Sequence, residues 1–147
     1  MPVVDASVVV DWVAPSSDPQ GSARRLLDAL GSAGATVSVP PLLFEEVGNA
    51  LLTGVRRDRW SGAEADRAFA LLRSLPAVVL DTRPDLDRAW ELSRRYDEHP
   101  LDDMVYLALA ERLGQPLVTA DRRLRERVLR PHQVVAPEAW ASDSPGR

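Results

Sequence analysis

Four acidic residues occupy positions where the sequence predicts strand ends or helix beginnings. Asp5 ends a short apolar strand, Asp121 follows a second one, and Asp103 and Glu46 lie early in two helical segments. An open α/β sheet binds its ligands outside the carboxyl ends of its strands. We therefore expect these four carboxylates to converge at one edge of a sheet.

Such a cluster of carboxylates has a defined chemistry. Converging carboxylates repel one another unless a cation lies among them, and oxygen ligands alone select hard ions such as Mg²⁺ or Mn²⁺. A divalent ion lowers the pKa of a water molecule, orients it for attack and stabilises charge on a phosphodiester. The acids therefore suit metal-dependent phosphodiester hydrolysis, which needs no nucleophilic side chain.

Each acid also has an ordinary explanation. An aspartate at a helix N-terminus, such as Asp102, Asp103 or Asp121, is commonly a cap, and a single helical glutamate such as Glu46 is commonly solvated. Asp5 is the exception, because it interrupts two runs of valine where burial is predicted. A buried carboxylate is costly unless a cation or hydrogen bonds compensate it.

The pattern of apolar residues indicates the elements that position these acids. Apolar runs bounded by polar residues or prolines predict strands, and apolar spacings of three and four predict helices. Strands separated by helices require crossover connections, so we predict an α/β fold with a central parallel sheet and helices on both faces. The predicted strands are 3–7, 36–39, 78–80, 116–119 and 134–135, and the predicted helices are 22–30, 41–51, 61 to before Pro76, 85–96 and 102–113.

Length and composition narrow the possible classes of protein. The chain has 147 residues, 45% hydrophobic and 27% charged, which predicts one globular domain over 1–141 followed by a disordered tail at 142–147. It contains neither cysteine nor lysine, which excludes thiol chemistry, Schiff bases and lysine general bases. Neither an export signal nor a membrane-spanning apolar run is visible, so we expect a cytoplasmic protein.

Four segments of the sequence place an acid beside fixed polar and apolar neighbours. The segments are Val4-Asp5-Ala6-Ser7, the stretch Pro41 to Leu51 with Glu46 three residues before Asn49, Asp103 to Ala110, and Leu117 to Leu124 with Thr119 two residues before Asp121. In this order they resemble the motifs of PIN-domain ribonucleases. Any one of these motifs is weak alone, and four in register are strong.

The resemblance implies roles for individual residues. It makes Asp5, Glu46, Asp103 and Asp121 the catalytic, metal-binding acids for Mg²⁺ or Mn²⁺. Supporting polar residues that orient carboxylates or waters would be Ser7, Asn49 and Thr119. Two choices stay open: Asp102 competes with Asp103, which the spacing to Tyr106 favours, and Glu45 competes with Glu46, which the spacing to Asn49 favours.

Within the family the chain most resembles the VapC-type toxins of toxin-antitoxin pairs. That resemblance implies an RNA substrate, a cognate antitoxin protein and a homodimer. Candidate RNA contacts are Arg122, Arg123 and Arg125, which directly follow Asp121. The ordinary alternative for these arginines is a solvated helix face or ion pairs with Glu126 and nearby acids.

Other interpretations of the acids are weaker. A haloacid-dehalogenase-type phosphatase also begins with an aspartate at a strand end, and a receiver-like signalling domain also gathers acids around Mg²⁺. Both classes need a lysine, which this sequence lacks. A non-catalytic PIN-like domain is the remaining alternative, and with all four acids present nothing supports a loss of activity.

The histidines and tryptophans carry less information. His99 and His132 lie in proline-flanked segments, so we expect both at the surface. The four tryptophans are scattered along the sequence, and core packing or a subunit contact is the default for each. They are Trp12, Trp60, Trp90 and Trp140.

Overall fold

A five-stranded parallel sheet lies at the centre of the computed structural model, which describes residues 1–128 and 133–143. The strand order is β3-β2-β1-β4-β5, and every neighbouring pair is parallel. Along the chain, β2 and β3 are added on one side of β1, and β4 and β5 are added on its other side. The strand order therefore reverses between β1 and β4. The strands are β1 Val3–Val4, β2 Val37–Val39, β3 Ala77–Val79, β4 Leu117–Val118 and β5 Val134–Val135.

Helices connect the strands, which confirms the predicted α/β class. Among them α5 packs against α6, α2 against α8, and α3 against both α1 and α4. A 3₁₀ turn at Arg83–Asp85 precedes α5. The helices are α1 Ala6–Val13, α2 Ser22–Ser32, α3 Leu42–Arg56, α4 Gly62–Ser74, α5 Leu86–Arg95, α6 Leu101–Leu113, α7 Arg122–Arg127 and α8 Pro137–Asp143.

The first strand is shorter than its predicted span of 3–7. It ends at Val4, and Asp5 is the N-cap of α1, with its carboxylate accepting hydrogen bonds from the backbone N–H groups of Ser7 and Val8. An aspartate in extended conformation satisfies the first free N–H groups of a helix. The valines that follow Asp5 therefore belong to a helix, although β-branched residues favour strands.

Helix α6 forms the centre of the core. Its residues from Met104 to Ala110 are all buried, so the middle of this helix is covered on every side. It ends at Gly114, which adopts φ = 63°, a left-handed conformation that glycine allows at little cost. The acids of its first turn are thus presented from a rigid support.

Some details of the expected structure are confirmed and others are wrong. The capping box at Ser61 and Glu64 forms with both hydrogen bonds at 3.1 Å. Trp12 is buried, as core packing requires, but Trp90 is 61% exposed, so core packing is wrong for it. Ser142 and Asp143 belong to α8, and the rest of the expected tail, 144–147, lies outside the described residues.

A search of the described residues for a helix with the length and apolar content of a membrane span gave no candidate.

Candidate active site

The carboxyl ends of β1 and β4 bring Asp5 next to Thr119. Val4 pairs with Val118 in the register of the two strands, and the N–H of Asp5 donates to the carbonyl of Val118 at 3.2 Å. Asp5 is 5% exposed and Thr119 is fully buried. Both residues lie at the point where the strand order reverses, which is where α/β sheets bind ligands.

Ser7 connects these two strand ends. Its hydroxyl donates to Oδ1 of Asp5 at 2.5 Å and accepts a hydrogen bond from the N–H of Ala120 at 3.0 Å. The hydroxyl oxygen also lies 3.4 Å from Oγ1 of Thr119. Ser7 and Thr119 therefore surround the Asp5 carboxylate with hydroxyl groups, the kind of supporting position expected from the sequence.

Asp5 is hard to ionise in this setting. Burial raises its pKa to about 6, against the opposing effect of hydrogen bonds from Ser7, Thr119 and the Val8 backbone, and the charge of Asp103 raises it further. Relative to an ordinary aspartate this amounts to roughly 3 kcal/mol against the charged form. A cation near Asp5 would offset that cost.

Glu46 faces the same region from α3. It is half-buried, and Tyr106, a fully buried residue of α6, donates its hydroxyl to Oε1 of Glu46 at 2.8 Å. Burial raises the pKa of Glu46 to about 7, and the charges of Asp102 and Asp103 add to that effect. Glu45 is exposed, so the structure distinguishes the two glutamates in favour of Glu46.

Both acids at the beginning of α6 contribute to the site. Asp103 is partly buried, and burial together with the charges of Asp102 and Asp121 raises its pKa, while His99 lowers it. Asp102 is more exposed, but it lies near enough to Glu46 to raise the pKa of that glutamate. The structure therefore brings Asp102 to the cluster beside Asp103.

Asp121 completes the set as the N-cap of α7. Its Oδ1 accepts hydrogen bonds from the N–H groups of Arg123 at 2.9 Å and Leu124 at 3.3 Å, so the capping role weighed from the sequence is present. Its charge nevertheless acts on Asp103. Asp103 is thus the centre of the cluster, because Asp5, Glu46 and Asp121 all interact with it electrostatically.

The predicted supporting residue Asn49 is not brought into this network. It is exposed on α3, one turn after Glu46, and its side chain makes no hydrogen bond to the described residues.

Among the described residues, no group of three or more His, Asp or Glu side chains is arranged so that it could hold a metal ion. The donors are all oxygen atoms, and Mg²⁺ commonly binds one or two carboxylates with water and substrate phosphate as the remaining ligands. The residues therefore fit an open magnesium site.

The candidate RNA-binding arginines have different surroundings. Arg122 is exposed and donates to Glu126 at 2.9 Å, which is the ion pair weighed as the ordinary alternative. Arg125 donates to the carbonyl oxygen of Thr119 at 2.7 Å and so supports the end of β4. Arg123 is exposed.

His99 is the functional residue that sequence reasoning missed. Its expected surface position is wrong, since it is 8% exposed and its Nε2 lies 2.7 Å from Oδ2 of Asp103. Residues four apart in sequence are expected to contact each other only when both lie in one helix. His99 precedes α6, which begins after Pro100, so its spacing from Asp103 did not indicate this contact. The expectation for His132 concerns a residue outside the described ranges.

Comparisons with known proteins agree with this geometry. The family model described as PIN domain matches residues 3–128. Ribonuclease VapC12 of Mycobacterium tuberculosis is 34% identical over 126 residues, covering 86% of this chain and 91% of that protein. The crystal structure of PAE2754 from Pyrobaculum aerophilum has a TM-score of 0.71 at 25% identity and covers 95% of this chain and 85% of that one. A toxin-antitoxin complex from Klebsiella pneumoniae has a TM-score of 0.62 at 17% identity, covering 93% and 98% of the two chains, and shows the same fold.

The parallel sheet and the acids at its switch point define a PIN domain. The chain belongs to the PIN-domain family, and its relatives within that family are VapC ribonucleases.

Proposed function

We propose that this protein is an endoribonuclease of VapC type, the toxin of a toxin-antitoxin pair, and that it acts through Mg²⁺ or Mn²⁺ at Asp5, Glu46, Asp103 and Asp121. Relatives at 34% identity over most of the chain are named ribonucleases, which supports the reaction. The observation that carries the metal site is the burial or partial burial of three neighbouring acids, Asp5, Glu46 and Asp103, which raises the pKa of each.

The chain's own residues hold the carboxylates for this task. Ser7 and Thr119 orient Asp5, and Tyr106 orients Glu46 through its hydroxyl group. Asp121 is held by the first turn of α7. When bound at these acids, a divalent ion supplies activation of a water molecule and neutralisation of phosphate charge.

The proposed partners follow from the charge of the site. An unrestrained ribonuclease would harm its host, so a cognate antitoxin is needed to occupy the acidic pocket, and an arginine is suited to bind clustered carboxylates. The homodimer stays a prediction, and the exposed Trp90 on α5 is a candidate for a subunit contact. Arg123 is the best placed of the candidate RNA contacts, since Arg122 and Arg125 are engaged within the chain.

The alternative, a non-catalytic PIN-like or receiver-like signalling domain, is not favoured. A receiver-like domain requires a lysine that the chain lacks. A PIN-like domain that only binds a partner has no need for four acids whose charges oppose one another.

Cleavage of RNA with and without metal tests the proposal. The purified protein is treated with a chelator, dialysed and assayed on a mixture of structured RNAs, with DNA of matched sequence as the control. We expect no cleavage after chelation and recovery on addition of Mg²⁺ or Mn²⁺. Cleavage that persists after exhaustive chelation contradicts the proposed role of the metal. A metal-loaded protein that does not cleave RNA contradicts the proposed ribonuclease activity.

A further inference from the structure

A line of polar side chains runs from the surface of α7 to the centre of the acidic site. Arg127 lies at the end of α7, and its Nη1 is 3.0 Å from Nδ1 of His99. On the opposite side of the ring, Nε2 of His99 is 2.7 Å from Oδ2 of Asp103. The three residues come from three different segments of the chain and meet at a nearly buried imidazole.

The donors and acceptors in this line are fixed by their chemistry. A guanidinium group can only donate hydrogen bonds, so Nδ1 of His99 must accept the one from Arg127. The neutral ring then carries its proton on Nε2 and donates it to the Asp103 carboxylate. An ionised carboxylate can only accept hydrogen bonds, so Arg127 and Asp103 both require the tautomer of His99 that carries its proton on Nε2.

The backbone before His99 is shaped to place the ring there. Asp97 and Glu98 adopt φ values of 57° and 55°, a left-handed conformation that is unusual for residues other than glycine. The N–H of His99 is then held by the carbonyl oxygens of Ser93 and Tyr96, each at 3.2 Å. Unusual backbone conformations persist where the surrounding structure enforces them, and they concentrate at functional sites.

We propose that His99 and Arg127 are positioning residues for Asp103. Arg127 orients the ring of His99, and His99 in turn orients the carboxylate of Asp103. His99 holds Oδ2 of Asp103, and this leaves Oδ1, which accepts no hydrogen bond from the described residues, for the metal ion. Hydrogen-bonded partners behind a ligand fix its orientation and tune its strength. The role of Asp103 as a ligand rests on the function proposed above, whereas the tautomer of His99 does not.

The tautomer is measured directly by NMR on protein labelled with ¹⁵N-histidine. The sequence contains two histidines, so the spectrum is simple to assign with the His99→Gln variant. We expect the Nε2–H tautomer for His99 in the native protein and a mixture of ring forms in Arg127→Ala. The exposed Arg95 of α5 supplies the matched control, since Arg95→Ala removes a nearby arginine that makes no hydrogen bond to His99. A single unchanged tautomer in Arg127→Ala overturns the proposal.

Mn²⁺ binding, measured by calorimetry, tests the effect on the site without requiring activity. Loss of a supporting partner commonly weakens metal binding or activity by about 10- to 100-fold. We expect a weakening in that range for His99→Ala and a smaller one for Arg127→Ala. The double variant should be no weaker than His99→Ala, because Arg127 acts through His99. His99→Gln should recover part of the affinity, since its amide can still donate to Asp103.

The outcomes separate this inference from the proposed function. If the native protein cleaves RNA and His99→Ala binds Mn²⁺ as tightly as the native protein does, the positioning role is contradicted and the proposed function is not. Native protein that neither binds Mn²⁺ nor cleaves RNA contradicts the proposed function, and the NMR experiment then decides the tautomer. Additive losses in the double variant contradict the order of action.

Discussion

At the scale of single residues, the site is defined by carboxylates that are held where they ionise with difficulty. Burial is the largest cause for Asp5, Glu46 and Asp103 alike, and mutual repulsion adds to it. Their hydrogen bonds to Ser7, Tyr106 and His99 keep the side chains in place without removing that cost. A divalent cation bound at the proposed metal site would offset this cost.

These pKa values predict a pH dependence of stability. The folded-state pKa of Asp5 is about 6 and that of Glu46 about 7, both above the ordinary values of 3.8 and 4.5. The folded protein therefore binds protons more tightly than the unfolded chain, and this stabilisation is present at low pH and lost as pH rises through 6 and 7. We expect the metal-free Asp5→Asn variant to gain in Tm over the native protein at about pH 8 and not at about pH 4.

The same reasoning gives the effect of a metal ion. Mn²⁺ competes with protons for the carboxylates, so its increase in Tm should be large at about pH 8 and nearly absent at about pH 5. Thermal unfolding followed by circular dichroism, with and without Mn²⁺, measures both effects. An equal increase at the two pH values, or none at pH 8, would contradict this interpretation of the acids.

At the scale of elements, α6 must be held firmly because it carries Asp102, Asp103 and Tyr106. An ion pair between a buried carboxylate and an exposed guanidinium anchors this helix: Arg112 donates two hydrogen bonds to Asp85, at 2.7 and 2.9 Å, and Asp85 is 3% exposed. Arg112→Ala leaves that carboxylate buried without its partner, which we expect to cost about 2–4 kcal/mol of unfolding free energy. Arg83→Ala, which removes an exposed pair with Asp81, is the control and should cost much less. Urea unfolding that gives equal losses for the two variants would contradict the anchoring role.

Helix α3, which carries Glu46, depends on a close contact between Gly54 and Trp60. A Cβ atom at Gly54 would lie 2.0 Å from the indole ring, whose Nε1 donates to the carbonyl of Leu51 at 3.0 Å. Gly54→Ala should therefore lower the unfolding free energy by about 1–3 kcal/mol. Gly31→Ala in α2, where a Cβ meets no atom within 4 Å, should instead raise it by about 0.5–1 kcal/mol. Denaturant unfolding measures both, and a stable Gly54→Ala protein would show that the ring can move aside.

The elements differ in how far the sequence predicts them. The order of the strands in the sheet is not visible in the sequence. The alternation of apolar strands with helices is visible, and it predicts where β1 and β4 end. Asp5 was therefore predictable as a buried acid, whereas the helix that it caps was not, because three successive valines suit a strand equally well. His99 could not be placed, since its contact with Asp103 depends on two residues with positive φ, whose conformation no local pattern indicated.

At the scale of the whole molecule, the proposed function requires that the protein be toxic when its site is free and harmless when the antitoxin covers the site. Expression of this protein alone should arrest growth, and co-expression with its cognate antitoxin should restore growth. The Asp103→Asn variant is the matched control, because we expect it to fold, to lack activity and to leave growth unaffected. Growth curves after induction give the result, and vigorous growth with abundant active protein would count against the toxin.

The central claim is that the linked acids perform the cleavage of RNA, and substitution of single acids tests it most directly. Asp5→Asn and Asp103→Asn keep the shape of each side chain while removing its charge, and asparagine can still cap α1 at position 5. Asp28→Asn, at an exposed position of α2, is the control. With folding verified by circular dichroism, we expect the first two variants to lose at least about 100-fold in cleavage rate in Mg²⁺, and the control to retain full activity. Folded Asp5→Asn and Asp103→Asn proteins that cleave RNA at the native rate would contradict the account.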